Sequence, residues 1–376
     1  MALEDLSRNV RRFMKLRNFS IPTLAKESGL GTATLSNVLN QKSSPNSTTL
    51  IKISKALGVS FPELLSETPK LKTLRFRTNS KLTAREIAEK EQLEIDSAIW
   101  LKNYVSLEEL TEEKSAFKFN KIVAKDPVEA AKEIRKIYKI KEDAPIYDII
   151  SLIEDAGIKL YLHDFNFQKT FGLSVNNEDG GPAIIVNNNE NISVERKIFT
   201  IAHELGHLIL HKSSFDGEVA EENDKEEKEA DKFAAELLMP EKAFKKQWEA
   251  HSGISWIDAV MQIKQYFGVS YKTVLYRLNS LMSKRFQSGY LYKEFARLYR
   301  LKYKHDLKNH YEPNSISEIV PAKDEPEKLS SFNFTEERFE RLVRQAYDQE
   351  KISISRAAEM LNLSAEEMRE RVAEWL

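Results

Sequence analysis

The 376-residue chain contains no cysteine, which excludes disulfide bonds and thiolate metal ligands. It also lacks an apolar run near the ~18 residues that a membrane span requires. Its start, Met1 to Asp5, lacks the basic-then-apolar order of a secretory signal peptide. We therefore expect a cytoplasmic protein with no membrane contact. The formal net charge is only −1, so attraction to nucleic acid must come from a local basic patch.

Histidine is scarce as well, yet His203 and His207 form the motif H-E-x-x-H with Glu204. On a helix, positions i and i+4 lie on the same face, so two imidazoles can bind one Zn²⁺. Glu204 then lies where a general base for an attacking water is needed. The alternative is a surface helix with two solvated histidines. It is disfavoured because the neighbours are apolar, namely Ile198, Phe199, Ile201, Leu205, Leu208 and Ile209.

A catalytic zinc site needs a third protein ligand, and in the absence of cysteine we expect a carboxylate. The acidic segment 216–231 can supply it, because this segment leads into an apolar stripe with helical spacing. Most of its acids are expected to be solvated, which leaves Glu226, Glu227 and Glu229 as candidates. We favour Glu227, because Asp231 follows one helical turn later and can accept the N–H of a zinc-bound histidine.

His211 extends the row of histidines by a further turn. Eight residues span about 12 Å along a helix, which is too far for His211 to share one ion with His203. We expect His211 to be a catalytic residue that contacts substrate or polarises the scissile carbonyl, a role for which Tyr161 is a second candidate. The alternative is a histidine that only lies near the last carbonyls of its helix.

Two segments, F-T-I-A-H-E-L-G-H-L-I-L-H (199–211) and E-K-E-A-D-K-F-A-A-E-L-L-M-P (227–240), resemble the ImmA/IrrE family of bacterial and phage metallopeptidases. The resemblance extends over roughly residues 125–280. It implies that His203, His207 and Glu227 bind Zn²⁺, that Glu204 is the base and that Asp231 orients a ligand. It also implies an endopeptidase that cleaves helix-turn-helix repressors in response to DNA damage or other stress.

Residues 4–66 are predicted to form five short helices. Gly29-Leu30-Gly31 is a turn before the helix 32–39, and Gly58 follows the end of the helix that begins at Ser47. This pattern resembles the Xre/Cro/cI helix-turn-helix family. Residues 1–70 carry ten lysines and arginines against five acids, and phosphate contact requires such an excess. The alternative is a small helical module that binds protein.

In the Xre/Cro/cI resemblance, residues 32–39 form the recognition helix, whose first side chains contact base edges in the major groove. Polar side chains on and just after this helix are the expected contacts: Thr32, Thr34 and Asn37 for bases, and Asn40, Lys42 and Ser43 for phosphates. Such domains usually bind a double-stranded operator as dimers, so we expect a homodimer.

Hydrophobic periodicity predicts the remaining elements. Helices are expected over 128–138 and 145–156, strands over 157–162, 171–175 and 183–186, a helix–Gly–helix over 254–280, and two amphipathic helices within 335–375. An exposed edge of the small sheet could align a substrate strand by β-addition.

These elements predict a mainly α fold with a small β-sheet. Together with the two resemblances, they imply an all-α helix-turn-helix domain, an α+β zincin-like metallopeptidase domain and a helical C-terminal region. The expected boundaries are 1–68 for the helix-turn-helix domain, 69–124 for a helical connecting arm, 125–250 for the peptidase domain, 251–312 for its helical extension, 313–330 for a linker and 331–376 for a C-terminal helical module.

The leading functional hypothesis is a DNA-binding transcriptional regulator that carries a zinc metalloendopeptidase domain. Its substrate is expected to be a repressor, or the chain itself within the arm 69–122, in a stress, prophage or toxin–antitoxin setting. Two alternatives remain open. The chain can be a non-proteolytic repressor or antitoxin that uses the zinc fold to bind a partner toxin or a signal, or the zinc can be purely structural.

Overall fold

The computed structural model describes residues 3–17, 19–59, 61–65, 71–75, 83–123, 126–165, 170–215, 224–282, 290–307, 325–331 and 334–375. The chain divides into two compact units. The first contains Met1–Lys70, Lys90–Asn103 and Val343–Leu376, and the second contains Leu71–Glu89 and Tyr104–Leu342. Most of the predicted linker 313–330 lies outside the described residues, and so do the acids of the segment 216–231 that precede residue 224.

Helices dominate both units. The α-helices are α1 (Leu3–Leu16), α2 (Ile21–Ser28), α3 (Thr32–Leu39), α4 (Ser47–Leu57), α5 (Phe61–Leu65), α6 (Ala84–Thr111), α7 (Pro127–Ile137), α8 (Ile149–Asp155), α9 (Val194–Leu210), α10 (Asp224–Leu238), α11 (Glu241–Ala250), α12 (Trp256–Phe267), α13 (Tyr271–Met282), α14 (Tyr290–Tyr303), α15 (Arg338–Asp348), α16 (Ile354–Met360) and α17 (Ala365–Trp375). The strands are β1 (Leu74–Arg75), β2 (Lys159–His163), β3 (Gly172–Val175) and β4 (Ala183–Asn187).

Helices α1 to α5 of the first unit are bounded by specific capping residues. Ser20 is the N-cap of α2, and its side chain accepts a hydrogen bond from Thr23 N at 3.2 Å. Gly29, with a φ of 64°, is the C-cap of the same helix. Gly58, with a φ of 60°, ends α4 in the same way. Glycine suits these positions because L side chains rarely adopt positive φ. The apolar faces form one core that includes Leu6, Val10, Leu24, Leu35, Leu50, Ile53 and Leu57.

The second unit is built around a four-stranded sheet in the order β1-β3-β4-β2. Strand β3 is antiparallel to both β1 and β4, and β2 is parallel to β4. Helix α9 packs on β3 and β4, while α10 packs along α9 and α7. Nearly every residue of α9 is therefore buried, including its polar ones. A buried polar side chain needs a partner, which makes the polar groups of α9 the first place to look for a site.

The structure confirms the mainly α fold with a small sheet and corrects three details. The helix expected over 145–156 begins only at Ile149, because the Asp148 carboxylate accepts from Ser151 N at 2.9 Å and caps it there. Residues 335–375 form three helices, not two, since α16 and α17 are separate. Among the described residues of the connecting arm, the short strand β1 precedes the long helix α6, and a 3-10 helix over Lys118–Lys121 follows it. Within the described residues, no helix is long and apolar enough to cross a membrane.

Candidate metal centre

Helix α9 presents both motif histidines on one face. The helix is capped at its start by Ser193, whose side chain accepts from Arg196 N at 3.3 Å. One turn separates His203 from His207, and their Nε2 atoms lie 3.0 Å apart. Both rings are buried. Two ring nitrogens at this distance can supply two of the four ligands of a tetrahedral metal site.

Helix α10 brings the third group to the histidines. One carboxylate oxygen of Glu227 lies 3.2 Å from His203 Nε2, and the other lies 3.3 Å from His207 Nε2. This approach depends on Gly206, which faces α10. A Cβ at Gly206 would lie 3.0 Å from Phe233 Cδ1 and 3.3 Å from Ala230 Cα, so a larger residue would force the two helices apart.

The three groups together have the donor set of a metal site. They are the one cluster of histidines and acids in the described part of the chain whose ligand atoms all lie within 4.8 Å of one another. An ion held tetrahedrally at 2.0–2.1 Å requires ligand atoms about 3.3 Å apart, which is close to the separations seen here. Two imidazoles and one carboxylate, with room for a fourth ligand, fit Zn²⁺ in a catalytic site.

A buried acid orients the first histidine. Asp231 accepts the Nδ1–H of His203 at 2.8 Å, so Nε2 is the atom that faces Glu227. Burial disfavours the charged ring of His203, but the hydrogen bonds to Asp231 and Glu227 outweigh it and raise the pKa of His203 to about 10. Burial raises the pKa of Glu227, but its contacts with His203 and His207 outweigh burial and hold the pKa far below its usual range. A proton thus competes with a metal ion for this position.

A chain of ring contacts orients the second histidine. Burial lowers the pKa of His207 to about 3 and lowers the pKa of His211 as well, so both rings are neutral. His211 Nε2 lies 3.1 Å from a Glu229 oxygen and can only donate to it. His211 Nδ1 must then accept from His207 Nδ1, at 2.9 Å. This arrangement leaves the lone pair of His207 Nε2 toward Glu227, as a metal ligand requires.

Glu204 lies between the metal-binding face and the sheet. Its carboxylate accepts from Ser174 Oγ of β3 at 2.8 Å, and burial raises its pKa. Strand β3 approaches closely because residue 172 is glycine. A Cβ there would lie 2.5 Å from Thr200 Cγ2 and 3.2 Å from Glu204 Cγ. The carboxylate is therefore held beside the three candidate metal ligands, and the same cavity is lined by all four side chains.

Arg75 of β1 was not expected at this site. Its guanidinium lies 2.5 Å from a Glu226 oxygen and 3.2 Å from a Glu227 oxygen, and it lines the same cavity as Glu204. Glu226 also accepts from Ser214 Oγ at 2.7 Å. No local pattern could have revealed Arg75, because more than 150 residues separate it from Glu227.

Some of the residues predicted for the site lie together in the structure, and others do not. It brings His203, His207, Glu227, Glu204 and Asp231 together. It places His211 behind His207, in contact with the ring nitrogen opposite the metal-binding one, so the catalytic contact expected of His211 has no geometric support. Tyr161 stacks on His163 instead, with ring centroids 4.8 Å apart.

The predicted DNA contacts lie in the first unit, on α3 and the turn that follows. Thr32, Thr34, Asn37, Asn40, Lys42 and Ser43 are all exposed. Leu35, Val38 and Leu39 on the other face of α3 are buried in the core. The Asn40 side chain accepts from Arg11 at 3.1 Å and donates to Ser36 at 3.2 Å, which fixes its orientation. Polar side chains thus cover one face of α3.

Two regions of the chain match known families. Residues 153–279 match the family model for the IrrE N-terminal-like domain of peptidase family M78, and residues 10–64 match a helix-turn-helix model. The chain therefore carries an IrrE-like peptidase domain and a helix-turn-helix domain, which confirms the ImmA/IrrE and Xre-type resemblances. A search of curated proteins finds no matching relative.

Proposed function

We propose that the chain is a DNA-binding transcriptional regulator whose second unit is a zinc-dependent endopeptidase. The observation that carries the proposal is the convergence of His203, His207 and Glu227 around one point, with the buried Glu204 carboxylate beside them. A structural zinc site is usually closed by four protein ligands, whereas three ligands and a neighbouring base match a hydrolytic site.

In this proposal each side chain has a separate task. Zn²⁺, when bound, polarises the scissile carbonyl and activates a water. Glu204 accepts the proton of the attacking water and passes it to the nitrogen of the leaving amine. Ser174 steadies the Glu204 carboxylate through its 2.8 Å hydrogen bond.

Asp231 and His211 act as positioning residues. Asp231 holds the His203 ring through Nδ1, and His211 holds the His207 ring through Nδ1. Partners of this kind fix the tautomer and orientation of metal-binding histidines. We therefore replace the catalytic role expected for His211 by this one.

The first unit supplies the DNA-binding half. The exposed start of α3 is proposed to enter the major groove, with Thr32, Thr34 and Asn37 at base edges. Asn40, Lys42 and Ser43 are proposed to contact phosphates, and the unit to bind its operator as a homodimer. Such an arrangement would link operator binding and proteolysis on one polypeptide.

The proposed substrate is a repressor or the arm 69–122 of this chain, and the setting is a stress response, a prophage or a toxin–antitoxin pair. These expectations rest on the ImmA/IrrE resemblance. Cleavage of a repressor would change transcription directly, and cleavage of the arm would separate the helix-turn-helix domain of this chain from its peptidase domain.

The decisive experiment compares full-length wild type with E204Q, both loaded with zinc and matched in zinc content. Each is incubated with a proteome-derived peptide library, and new termini are identified by mass spectrometry. We expect cuts with wild type and none with E204Q, while the exposed control E133Q on α7 cuts like wild type. Intact masses of the three proteins report self-cleavage in the same samples.

If wild type and E204Q give the same termini and the same intact masses, the proteolytic proposal fails. The non-proteolytic repressor or antitoxin would then be the better account of the chain. In that case substitution of Thr32 and Asn37 should still abolish regulation in cells, whereas E204Q should leave it unchanged.

A further inference from the structure

The sheet edge next to Glu204 is covered by the chain itself. Strand β1 pairs antiparallel with β3, with Leu74 opposite Val175 and Arg75 opposite Ser174. Ser174 is the residue that donates to Glu204. From the sequence we expect an exposed sheet edge that can align a substrate strand. At Ser174 and Val175 this edge is instead paired with residues 74 and 75.

Residues 72 and 73, just before β1, are held by hydrogen bonds to one carboxylate. The Asp179 carboxylate accepts from the backbone N–H of Lys72 at 2.7 Å, from that of Thr73 at 2.6 Å and from the Thr73 hydroxyl at 2.8 Å. The Thr73 hydroxyl in turn accepts from Asn176 N at 3.2 Å. Two of these four bonds use only backbone N–H groups of the segment, and another extended peptide could donate to Asp179 in the same way.

The side chain of Arg75 is the specific part of this contact. Only 8% of Arg75 is exposed, and its charge is balanced by Glu226 and Glu227. Glu227 belongs to the metal-binding group, but Glu226 does not. Glu226, held by Ser214, is thus an acid that binds the cation of Arg75, and Arg75 lines the same cavity as Glu204.

We propose that residues 72–75 occupy the substrate groove in cis, and that the substrate is an extended peptide with a basic side chain in the place of Arg75, recognised by Glu226. Peptides that extend a sheet gain affinity from main-chain hydrogen bonds and specificity from side-chain pockets. A strand pair of two residues is weak enough to be exchanged. The segment thus inhibits the site until a peptide displaces it. This inference rests on the proposed function and names its substrate class.

The test measures peptide binding, so it needs no turnover. Full-length, zinc-loaded E204Q is titrated against a fluorescent peptide of sequence Leu-Lys-Thr-Leu-Arg with blocked ends, and against an analogue with alanine in place of arginine. We expect R75A in the E204Q background to bind the arginine peptide at least tenfold more tightly than E204Q alone. The alanine analogue should bind that variant about tenfold less tightly than the arginine peptide.

Three further variants sharpen the result. Adding E226Q to R75A should abolish the difference between the two peptides. D179N should also raise affinity, because it loosens the segment without touching the acids at the site, and it serves if R75A fails to fold. K72A is the matched control, since the Lys72 side chain is exposed and its backbone bond to Asp179 remains. Its affinity should equal that of E204Q.

If E204Q binds the arginine peptide with the same affinity with or without R75A, and D179N also leaves that affinity unchanged, the inference that the segment fills the groove is refuted. Discrimination that survives E226Q would refute the role of Glu226. These failures are distinct from failure of the proposed function. If the peptides bind as expected but the protein cleaves nothing, only the proposed proteolytic function is refuted. If the protein cleaves peptides with no preference for a basic side chain, only the assignment of the groove is refuted.

Discussion

Gly206 offers a quantitative test of how the metal centre is assembled. In G206A the new Cβ would lie 3.0 Å from Phe233 Cδ1 and 3.3 Å from Ala230 Cα, so α10 must move by a few tenths of an ångström. Overpacking of this kind costs about 1–3 kcal/mol, which outweighs the ~0.5–1 kcal/mol that alanine contributes in a helix. We expect a net loss of about 1 kcal/mol and, since Glu227 moves with α10, about tenfold weaker zinc binding.

Two assays measure these effects separately. Urea unfolding in the presence of a chelator gives the stability of the metal-free protein, and competition with a chromophoric chelator gives the zinc affinity. G253A is the matched control, because a Cβ at Gly253 would meet no atom within 4 Å, and both quantities should stay unchanged. F233L should restore part of the loss in the G206A background, because it removes the ring that the new methyl group meets.

Unaltered stability and zinc affinity in G206A would refute the claim that close approach of α9 and α10 builds the site. A loss of stability with normal zinc affinity would separate helix packing from the placement of Glu227. Failure of F233L to rescue any of the loss would show that the ring is not the obstacle.

Three further outcomes are expected. D231N should weaken zinc binding by about 10–100-fold in chelator competition, because His203 loses its orienting carboxylate, and an unchanged affinity would contradict that role. Burial, with help from Glu195 and against Lys264, raises the pKa of Glu325 to about 8 from 4.5. The folded state therefore holds a proton that the unfolded state releases in this window, so the unfolding free energy should fall as pH rises through it. E325Q should show a smaller fall in urea unfolding at several pH values, and an equal fall would exclude Glu325 as its source. K42A should weaken DNA binding evenly across sequences and reduce the salt slope by about 1 in filter binding, unlike the second-unit control K242A.

Short-range patterns explain what could be predicted from the sequence. The motif histidines lie on one helix, so their i, i+4 spacing alone places them on one face. Glu227 and Asp231 also share a helix, so the same spacing argument predicts that they lie on one face of it. The helices of the first unit were predictable because capping residues such as Gly29 and Gly58 mark their ends.

Long-range contacts explain what could not be predicted. Arg75 reaches Glu226 across 151 residues of sequence, and a strand of two residues has no periodicity to reveal it. Ser174 acquires its role only because β3 lies beside Glu204. His211 fits the i, i+4 spacing of the histidines as well as the two proposed ligands do. Only the three-dimensional structure shows that its ring contacts His207 at Nδ1, the ring nitrogen opposite the one that faces Glu227.

The most direct test of the central claim is anomalous diffraction at the zinc edge from crystals of the full chain, combined with metal analysis of the same material. The account predicts one zinc ion per chain, bound by His203, His207 and Glu227, with Glu204 close by but not bound to it. An ion at another position, or zinc-saturated protein with no anomalous peak between these three side chains, would contradict it.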